Sequence, residues 1–281
     1  MHGLASALEG ALGSPVSALR AIAGGDINEA YAVTLASGEE LFVKTRHDAP
    51  PGMYAREAEG LSWLAEARAL RTPDIKLADE RFLVLELVQS ASRRADFDER
   101  FGRGLARLHA FGAPNFGLWR DNFIANLPQQ NAPLASFCDF YRERRLEPLL
   151  HRAHREKLLD ARDAAAFSRL YTKLEQLIPR EPAARLHGDL WSGNVHVDST
   201  GAPMLIDPAA YGGHRELDLA MLQLFGAPSA RFFAAYDQTY PRTQGHEERV
   251  ALWQLYPLLA HVCLFGGAYV GQLRRALARY T

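Results

Sequence analysis

Short runs of apolar and β-branched residues, bounded by polar and Gly-rich turns, predict β-strands in the first ninety residues. The runs "VSALRAI", "AYAVTLA" and "LFVKT" are separated by the turn sequences "GGDIN" and "SGEE", which is typical of an antiparallel hairpin followed by a third strand. Two shorter runs, "DIKLAD" and "RFLVLELV", bring the count to five strands. Between the third and fourth strands, "PPGMYAREAEGLSWLAEARAL" has apolar residues at helical spacing. The pattern predicts a small α+β lobe with five antiparallel strands and one main helix.

The remaining two thirds of the chain have mainly helical periodicity. Amphipathic helices are predicted for "DFDERFGRGLARLHAF", "LASFCDFYRERRLEPLLHRA" and "DARDAAAFSRLYTKLEQLI", and further helices from about Glu216 to the end. Residues 112–133 are rich in Gly, Pro and Asn and predict an ordered loop. The glycines of "FGGAY" near the C-terminus predict close helix packing. The small, polar segment "QSASRRA" predicts a boundary between an N-terminal lobe, residues 1–90, and a larger helical lobe, residues 91–281.

Composition narrows the possible partners. The formal net charge is -1 over 281 residues, so no overall charge attracts the chain to nucleic acid or to an anionic membrane. There is no run of about 18 apolar residues that would predict a membrane-spanning helix, and "MHGLASALEGALG" lacks the pattern of a signal peptide. The two cysteines, Cys138 and Cys263, lie far apart in apolar surroundings and fit a reducing cytoplasm. We therefore expect a cytoplasmic protein that binds neither nucleic acid nor membrane.

The stretch "LHGDLWSGNVHVDSTGAPMLIDPA" has the spacing of a phosphoryl-transfer site. In the kinase template, an Asp accepts the proton of the attacking hydroxyl, while an Asn five residues later and an Asp after the next hairpin hold the metal ions. Asp189 and Asn194 have this spacing, and Asp207 ends the second strand of the predicted hairpin. Oxygen ligands of this kind suit Mg²⁺. We predict that Asp189 is the catalytic residue and that Asn194 and Asp207 are metal ligands.

The N-terminal lobe supplies the phosphate-binding residues of the same template. Lys44 ends the third predicted strand, and Glu57 lies in the helix that follows, which is the arrangement of the kinase Lys–Glu pair. Glu59 is a competing partner for Lys44. We favour Glu57, because Glu59 lies about 200° further round the helix and cannot share its face.

Two further segments are predicted to contact the nucleotide, ATP. Gly24 and Gly25 lie in "GGDIN", between the first two strands, where a loop would cover the phosphates. The backbone of Glu86, Leu87 and Val88, at the end of the fifth strand, is placed where a kinase hinge binds adenine. A strand that leads into a linker without binding adenine would have the same sequence, so the sequence does not distinguish the two alternatives.

The acceptor is predicted to be small. Only about eight residues separate Asp207 from the next helix, and the chain has no "DFG" or "APE" motif. Protein kinases use a longer segment here to dock a peptide. The order of motifs therefore predicts a small-molecule kinase with a bilobal, protein-kinase-like fold.

At this level of detail the sequence resembles the fructosamine/ketosamine-3-kinase family. The resemblance rests on "LHGDLWSGN", "IDPAAYGGHRELDLAMLQLFG", "FGLWRDNFIANLPQQN", "FYRERRLEPLL" and "LYPLLAHVCLFGGAY". It implies an enzyme that uses ATP and Mg²⁺ to phosphorylate the 3-hydroxyl of ketosamines, on a free amine or a protein side chain, in protein deglycation. It also implies that Asp189 is the proton acceptor, that Asn194 and Asp207 hold the metal, and that Lys44 pairs with Glu57.

The resemblance leaves Asp218 and Trp191 with two interpretations each. Asp218 in "ELDLAM" matches a position that braces the catalytic loop, but it also suits the first turn of a helix. Trp191 and His261 are predicted to contact the substrate, whereas Trp191 would equally suit packing in the core. Two other functions stay open: a kinase of the same fold acting on an aminoglycoside, choline or another small alcohol, and a non-catalytic nucleotide-binding protein.

Overall fold

Five antiparallel strands form one sheet near the N-terminus, as the sequence predicts. The structure, a computed structural model, describes residues 2–22, 29–226 and 228–281. The strands are β1 Val16–Ile22, β2 Glu29–Leu35, β3 Glu40–Thr45, β4 Ile75–Ala78 and β5 Phe82–Glu86. Their order in the sheet is β1-β2-β3-β5-β4, with every neighbouring pair antiparallel. The predicted α+β fold class is confirmed, and strand ends differ from the predicted runs by two residues at most.

The sheet is covered on both faces, which explains the continuous apolar run in β5. Val84 packs with Leu8 of helix α1 (His2–Leu12) on one face. Leu83 packs with Leu61 of helix α2 (Met53–Glu66) on the other face. Successive side chains of a strand point to opposite faces. A strand that is buried on both faces therefore needs apolar residues at every position.

Helix α1 was not anticipated from the sequence. Its residues Leu4, Leu8 and Leu12 recur at intervals of four and all pack in the cluster beneath the sheet. The side chain of Glu9 accepts a hydrogen bond from the backbone N–H of Val16 at 2.9 Å, which ties the helix to β1. The i, i+4 spacing was a usable signal for this helix, although the segment is short.

The rest of the chain is mainly helical and surrounds one large core. The helices are α3 Phe97–Phe111, α4 Phe137–Phe140, α5 Glu147–Arg155, α6 Ala161–Tyr171, α7 Leu174–Leu177, α8 Glu216–Leu224, α9 Ala230–Thr239, α10 His246–Phe265 and α11 Val270–Leu277. The short strands are β6 Asn122–Ile124, β7 Leu127–Gln129, β8 Ala184–Leu186, β9 Val195–Val197, β10 Pro203–Leu205 and β11 Tyr211–Gly213. The segment between β5 and α3, residues 87–96, contains neither helix nor strand.

Three local expectations differ from the structure. Residues 112–133, expected to be a loop, contain the hairpin of β6 and β7. The helix expected over residues 134–153 is interrupted by a π-helical segment, Tyr141–Leu146. The prediction of close packing at "FGGAY" is wrong, since a Cβ atom at Gly266 or Gly267 would have no described neighbour within 4 Å. Gly266 instead ends α10 with a φ of 75°, a conformation that favours glycine.

Gly102 sets the distance between α3 and α9. A Cβ atom at this position would overlap the carbonyl oxygen of Phe232 on α9, and backbone cannot move aside as a side chain can. We expect Gly102→Ala to lower the free energy of unfolding by about 1–3 kcal/mol, as overpacked core substitutions do. Urea denaturation measures this change.

Gly10 on α1 is the matched control for Gly102. A Cβ atom there would meet no described atom within 4 Å. Gly10→Ala should therefore raise the free energy of unfolding by up to about 1 kcal/mol, through helix propensity alone. Equal destabilisation by the two substitutions would contradict the proposed role of the α3–α9 contact.

The most apolar helical stretch, His246–Leu277, is a core element. Its length and composition would suffice to cross a membrane, with a mean hydropathy of 1.4 in its most apolar window. However, 61% of that window is buried inside the protein, and the helix is broken at Gly266. The stretch therefore has the packing expected of a central helix.

Candidate active site

The loop with the sequence "HGDLWSGN" connects β8 to β9 and depends on a glycine. Gly188 has a φ of 83°, and a Cβ atom there would overlap the carbonyl oxygen of Ala209. Glycine alone satisfies both the left-handed conformation and the lack of space. This close approach brings Asp189 next to the segment that follows Asp207.

Asp218, buried in the first turn of α8, holds the start of this loop. Its carboxylate accepts hydrogen bonds from the backbone N–H groups of His187 at 2.8 Å and Gly188 at 2.9 Å. The contact is the brace that the family resemblance implies. Asp218 also lies in the first turn of α8, where the helix dipole favours a carboxylate. The bracing role and the helix-dipole role are therefore compatible.

The buried imidazole of His187 joins the loop to the strand that leads to Asp207. Its Nε2 lies 2.8 Å from the carbonyl oxygen of Ile206, and its Nδ1 lies 3.3 Å from the backbone N–H of Asp189. Because a carbonyl only accepts and an amide N–H only donates, Nε2 carries the proton and Nδ1 accepts. Burial lowers the pKa of His187, which favours this neutral form.

Asp189, Asn194 and Asp207 are brought together as the spacing predicts. The side-chain amide of Asn194 donates to the backbone oxygen of Asp189 at 2.8 Å and to its carboxylate at 3.3 Å. The same amide lies 3.5 Å from the backbone oxygen of Asp207. Asp207 itself has a φ of 53°, a left-handed conformation that Asp adopts more readily than most residues.

Lys44 links the N-terminal sheet to this group. Its ammonium lies 3.0 and 2.9 Å from the two carboxylate oxygens of Glu57 and 3.2 Å from Asp207. Glu59, the competing candidate, pairs with Arg56 and Arg120 instead. The helical angle between Glu57 and Glu59 therefore predicted the correct partner.

One ammonium faces three carboxylates in this site. Burial, and then the charge of Asp207, raises the pKa of Asp189 to about 7. Burial likewise raises the pKa of Glu57 to about 7, in spite of Lys44. Burial alone would lower the pKa of Lys44, but the charges of Asp207 and Glu57 outweigh it and raise that pKa. The site thus has excess negative charge and a firmly protonated lysine, as expected where a cation is to bind.

The two other predicted nucleotide contacts have different outcomes. Gly24 and Gly25 lie outside the described residues. Glu86 ends β5, but its backbone N–H already donates to the carbonyl oxygen of Asp74 at 2.9 Å, and its side chain pairs with Arg71. The backbone N–H of Glu86 is therefore not free for adenine, and the predicted hinge contact stays a prediction for the carbonyl of Glu86 and the backbone of Leu87 and Val88.

A cavity of about 610 Å³ joins the charged groups to a set of aromatic rings. Its charged part is lined by Lys44, Glu57, Asp189, Asn194 and Asp207. Its aromatic part is lined by Trp191, Phe225, His261, Phe265 and Tyr269. The hairpin of β6 and β7 contributes residues 122–125 to the same wall. Phe225 and Tyr269 were not singled out from the sequence, although Tyr269 continues the i, i+4 series of His261 and Phe265.

Trp191 lies in the aromatic part and is 39% exposed, so the alternative that it packs in the core is wrong. Its ring packs so closely over Gly193 that a Cβ atom there would overlap the indole. The ring centroid is 6.2 Å from that of Phe225, with the planes at 71°. The indole is thereby held beside Asp189 with one part open to the cavity.

His261 presents a hydrogen-bond acceptor to the same space. Its Nδ1 lies 2.7 Å from the carbonyl oxygen of Pro257, one turn earlier on α10, so Nδ1 carries the proton. Burial lowers the pKa of His261, which keeps the ring neutral and leaves Nε2 as an acceptor. Among the described residues Nε2 has no hydrogen-bond partner.

Comparison with known proteins gives the family of the chain. The model of the family described as "Fructosamine kinase" matches residues 2–281. The chain is 38% identical over 266 residues to a "Probable ketoamine kinase" of Synechocystis sp., covering 92% of this chain and 88% of that protein. It is 33% identical over 267 residues to the chloroplastic "Protein-ribulosamine 3-kinase" of Arabidopsis thaliana, covering 90% and 79%.

Solved structures give the same result at the level of the fold. A structure from Thermobifida fusca assigned as a fructosamine-3-kinase superposes with a TM-score of 0.91 at 38% identity, covering 100% of this chain and 99% of that one. An ADP-bound aminoglycoside phosphotransferase superposes with a TM-score of 0.66 at 13% identity, covering 98% and 96%, and supports the kinase-like fold alone. On the family match along residues 2–281, this chain belongs to the fructosamine kinase family.

Proposed function

We propose that this protein transfers the terminal phosphoryl group of ATP to the 3-hydroxyl of a ketosamine, with Mg²⁺. The observation that carries the proposal is a single cavity lined both by the Lys44, Asp189 and Asp207 group and by the aromatic part. Relatives named ketoamine kinase and protein-ribulosamine 3-kinase support this choice of acceptor. The division into a nucleotide-binding lobe, residues 1–90, and an acceptor lobe, residues 91–281, belongs to the same proposal.

Each charged residue has a distinct task in this reaction. Asp189 orients the acceptor hydroxyl and takes its proton as the new phosphorus–oxygen bond forms and the bond from the terminal phosphorus to ADP breaks. Lys44, held by Glu57, offsets negative charge on the phosphates. Asp218, through the backbone of His187 and Gly188, keeps Asp189 in position.

The oxygen atoms of Asn194 and Asp207 fit a magnesium ion. Asn194 uses its amide nitrogen on Asp189, which leaves its side-chain oxygen for another partner, and the side chain of Asp207 is 42% exposed. Within the described ranges there is no group of three or more His, Cys, Asp or Glu residues that could hold a metal. Few protein ligands are normal for Mg²⁺, which is commonly held by one or two protein oxygens together with the substrate phosphates. When bound, the ion neutralises charge on the transferred group.

The aromatic part suits the sugar of the acceptor. An indole face packs against the C–H face of a sugar or attracts an ammonium group, and Trp191 is exposed to the cavity for either contact. The unprotonated Nε2 of His261 can accept a hydrogen bond from a sugar hydroxyl. Both residues are proposed substrate contacts.

Trp191 should contribute to binding of the acceptor and not of ATP. We expect Trp191→Ala to raise the KM for a ketosamine by about ten-fold, the equivalent of one lost aromatic contact, with little change in the KM for ATP. Steady-state kinetics with each substrate varied in turn measures the two effects. Trp119→Ala is the matched control, because Trp119 is also exposed (56%) but does not line the cavity. Equal increases in both KM values for Trp191→Ala would contradict the assignment.

The charge of the cavity argues against an aminoglycoside acceptor. The acidic residues among its described lining residues are Glu57, Asp189 and Asp207, and all three belong to the charged part. Aminoglycosides carry several ammonium groups, which need carboxylates of their own for recognition. The aromatic part offers none among the described residues.

A substrate panel tests the proposed function. Ribulosamine, fructosamine, choline and an aminoglycoside are offered with Mg-ATP under identical conditions, and ADP release and phosphorylated product are measured. We expect turnover of the ketosamines. Turnover of choline or the aminoglycoside alone would overturn the proposal, and no turnover of any of them would favour a non-catalytic nucleotide-binding protein.

The unpaired state of Cys138 and Cys263 supports the further proposal of a cytoplasmic location.

A further inference from the structure

Arg145 is a buried cation outside the charged part of the cavity. It lies in the π-helical segment, is 0% exposed, and has no carboxylate within 4 Å among the described residues. Its guanidinium donates to the backbone oxygen of Gln130 at 2.5 Å and lies 3.8 Å from the ring centroid of Tyr211. A buried charge held only by dipoles and ring faces is costly, which suggests a role beyond packing.

A directed chain of side-chain amides begins at Arg145. Its Nη2 donates to Oδ1 of Asn131 at 2.7 Å, and Nδ2 of Asn131 donates to Oδ1 of Asn122 at 2.7 Å. Nδ2 of Asn122 then donates to the backbone oxygen of Ala210 at 2.9 Å. A guanidinium can only donate and a carbonyl can only accept. The two ends therefore fix the orientation of both amides between them.

Gln129 adds a branch to the same chain. Its Nε2 donates to Oδ1 of Asn122 at 2.7 Å and to the backbone oxygen of Ala209 at 3.1 Å. Its Oε1 accepts a hydrogen bond from the hydroxyl of Tyr256 on α10 at 2.5 Å. Each of these side chains is buried, so a broken link would leave polar atoms without water or partner.

The chain joins two parts of the cavity wall. Residues 122–125 of the β6–β7 hairpin line the cavity, as do Pro208 and Ala209, which directly follow Asp207. We propose that Arg145 is a positioning residue for the acceptor. Because it donates only, it sets the direction of the amide chain that holds the hairpin against the segment after Asp207. The inference rests on the proposed function for the identity of the acceptor.

Asn131→Asp tests the direction of the chain without removing the buried cation's partner. A carboxylate at this position still accepts from Arg145, now as an ion pair, but it cannot donate to Asn122. We expect the KM for the ketosamine to rise about ten-fold, because the new carboxylate faces Oδ1 of Asn122 with no proton between the two oxygens and repels the hairpin. The KM for ATP and the Tm should stay close to wild type, since the ion pair with Arg145 offsets the lost hydrogen bond. The backbone amides of Ile124 and Leu127, which pair across the hairpin, should exchange with deuterium about ten-fold faster, because a hairpin that is held less firmly opens more often.

Asn126→Asp is the matched control. It makes the same change of charge in the turn of the same hairpin, where the Asn126 side chain has no hydrogen bond with any described residue. It should leave both KM values and the exchange rates near wild type.

Two outcomes would overturn this inference. A lower Tm for Asn131→Asp with both KM values unchanged would show a purely structural role. Unchanged exchange at Ile124 and Leu127 would show that the chain of amides does not hold the hairpin. If the wild-type protein does not phosphorylate a ketosamine, the proposed function fails, and the exchange measurement still decides whether the chain positions the hairpin.

Discussion

Replacing Asp189 with asparagine is expected to lower kcat for phosphoryl transfer by about a thousand-fold, with the KM for ATP within about two-fold of wild type. The amide has nearly the same shape, and its oxygen can still accept the hydrogen bond that Asn194 gives to Asp189. It cannot accept the proton of the acceptor hydroxyl. Steady-state kinetics with a ketosamine and Mg-ATP measures the change. A variant with wild-type kcat would show that Asp189 is not the proton acceptor.

The same substitution is expected to raise the Tm of the protein without nucleotide or metal. Burial and the charge of Asp207 raise the pKa of Asp189 to about 7, so the folded protein binds a proton here more tightly than the unfolded chain does. Such a group stabilises the fold at low pH, and this stability is lost as the pH rises through the folded pKa. The gain in Tm from Asp189→Asn should therefore be larger at pH 8 than at pH 6. A loss of Tm at pH 8 would contradict the account of excess negative charge.

Replacing Asp207 with asparagine is the second large effect that we expect. Asp207→Asn should lower kcat by about a thousand-fold and weaken the response of the rate to Mg²⁺, because it removes the charge of the proposed metal ligand. The fold should survive, since asparagine tolerates the left-handed backbone that Asp207 adopts at a φ of 53°. Initial rates over a series of Mg²⁺ concentrations, together with thermal unfolding, measure both parts.

Asp139→Asn is the matched control for Asp207. Asp139 is an exposed acid on α4, so the same exchange of carboxylate for amide should leave the rate and its Mg²⁺ dependence unchanged. If Asp207→Asn kept the wild-type rate and the wild-type dependence on Mg²⁺, Asp207 would not be a metal ligand.

The sequence predicted those parts of the fold that leave a periodic signal. Short apolar and β-branched runs bounded by turn residues located the five strands, and the helical angle between Glu57 and Glu59 chose Glu57 as the partner of Lys44. The spacing of Asp189, Asn194 and Asp207 placed three distant side chains in one site, because a loop and a hairpin with short turns leave the chain few ways to separate them.

Other features could not be predicted, because they depend on contacts between distant segments. The hydrogen bond from Asn122 to Ala210 spans 88 positions and leaves no local pattern in either segment. The burial of Arg145 leaves no local pattern either, because the charged segment "FYRERRLEPLL" is typical of an exposed helix face. The prediction of close helix packing at "FGGAY" is wrong for a related reason. Sequence shows that glycine is tolerated, but not whether space or backbone conformation requires it.

The proposed function requires that the cavity direct phosphoryl transfer to one hydroxyl of a ketosamine. Two-dimensional ¹H–³¹P NMR of the product formed from fructosamine or ribulosamine and Mg-ATP tests it most directly. We expect a phosphorus correlation to the proton on carbon 3, present with wild-type protein and absent with Asp189→Asn. Phosphate on a different hydroxyl, or a ketosamine left unmodified while an aminoglycoside or choline is phosphorylated, would contradict it.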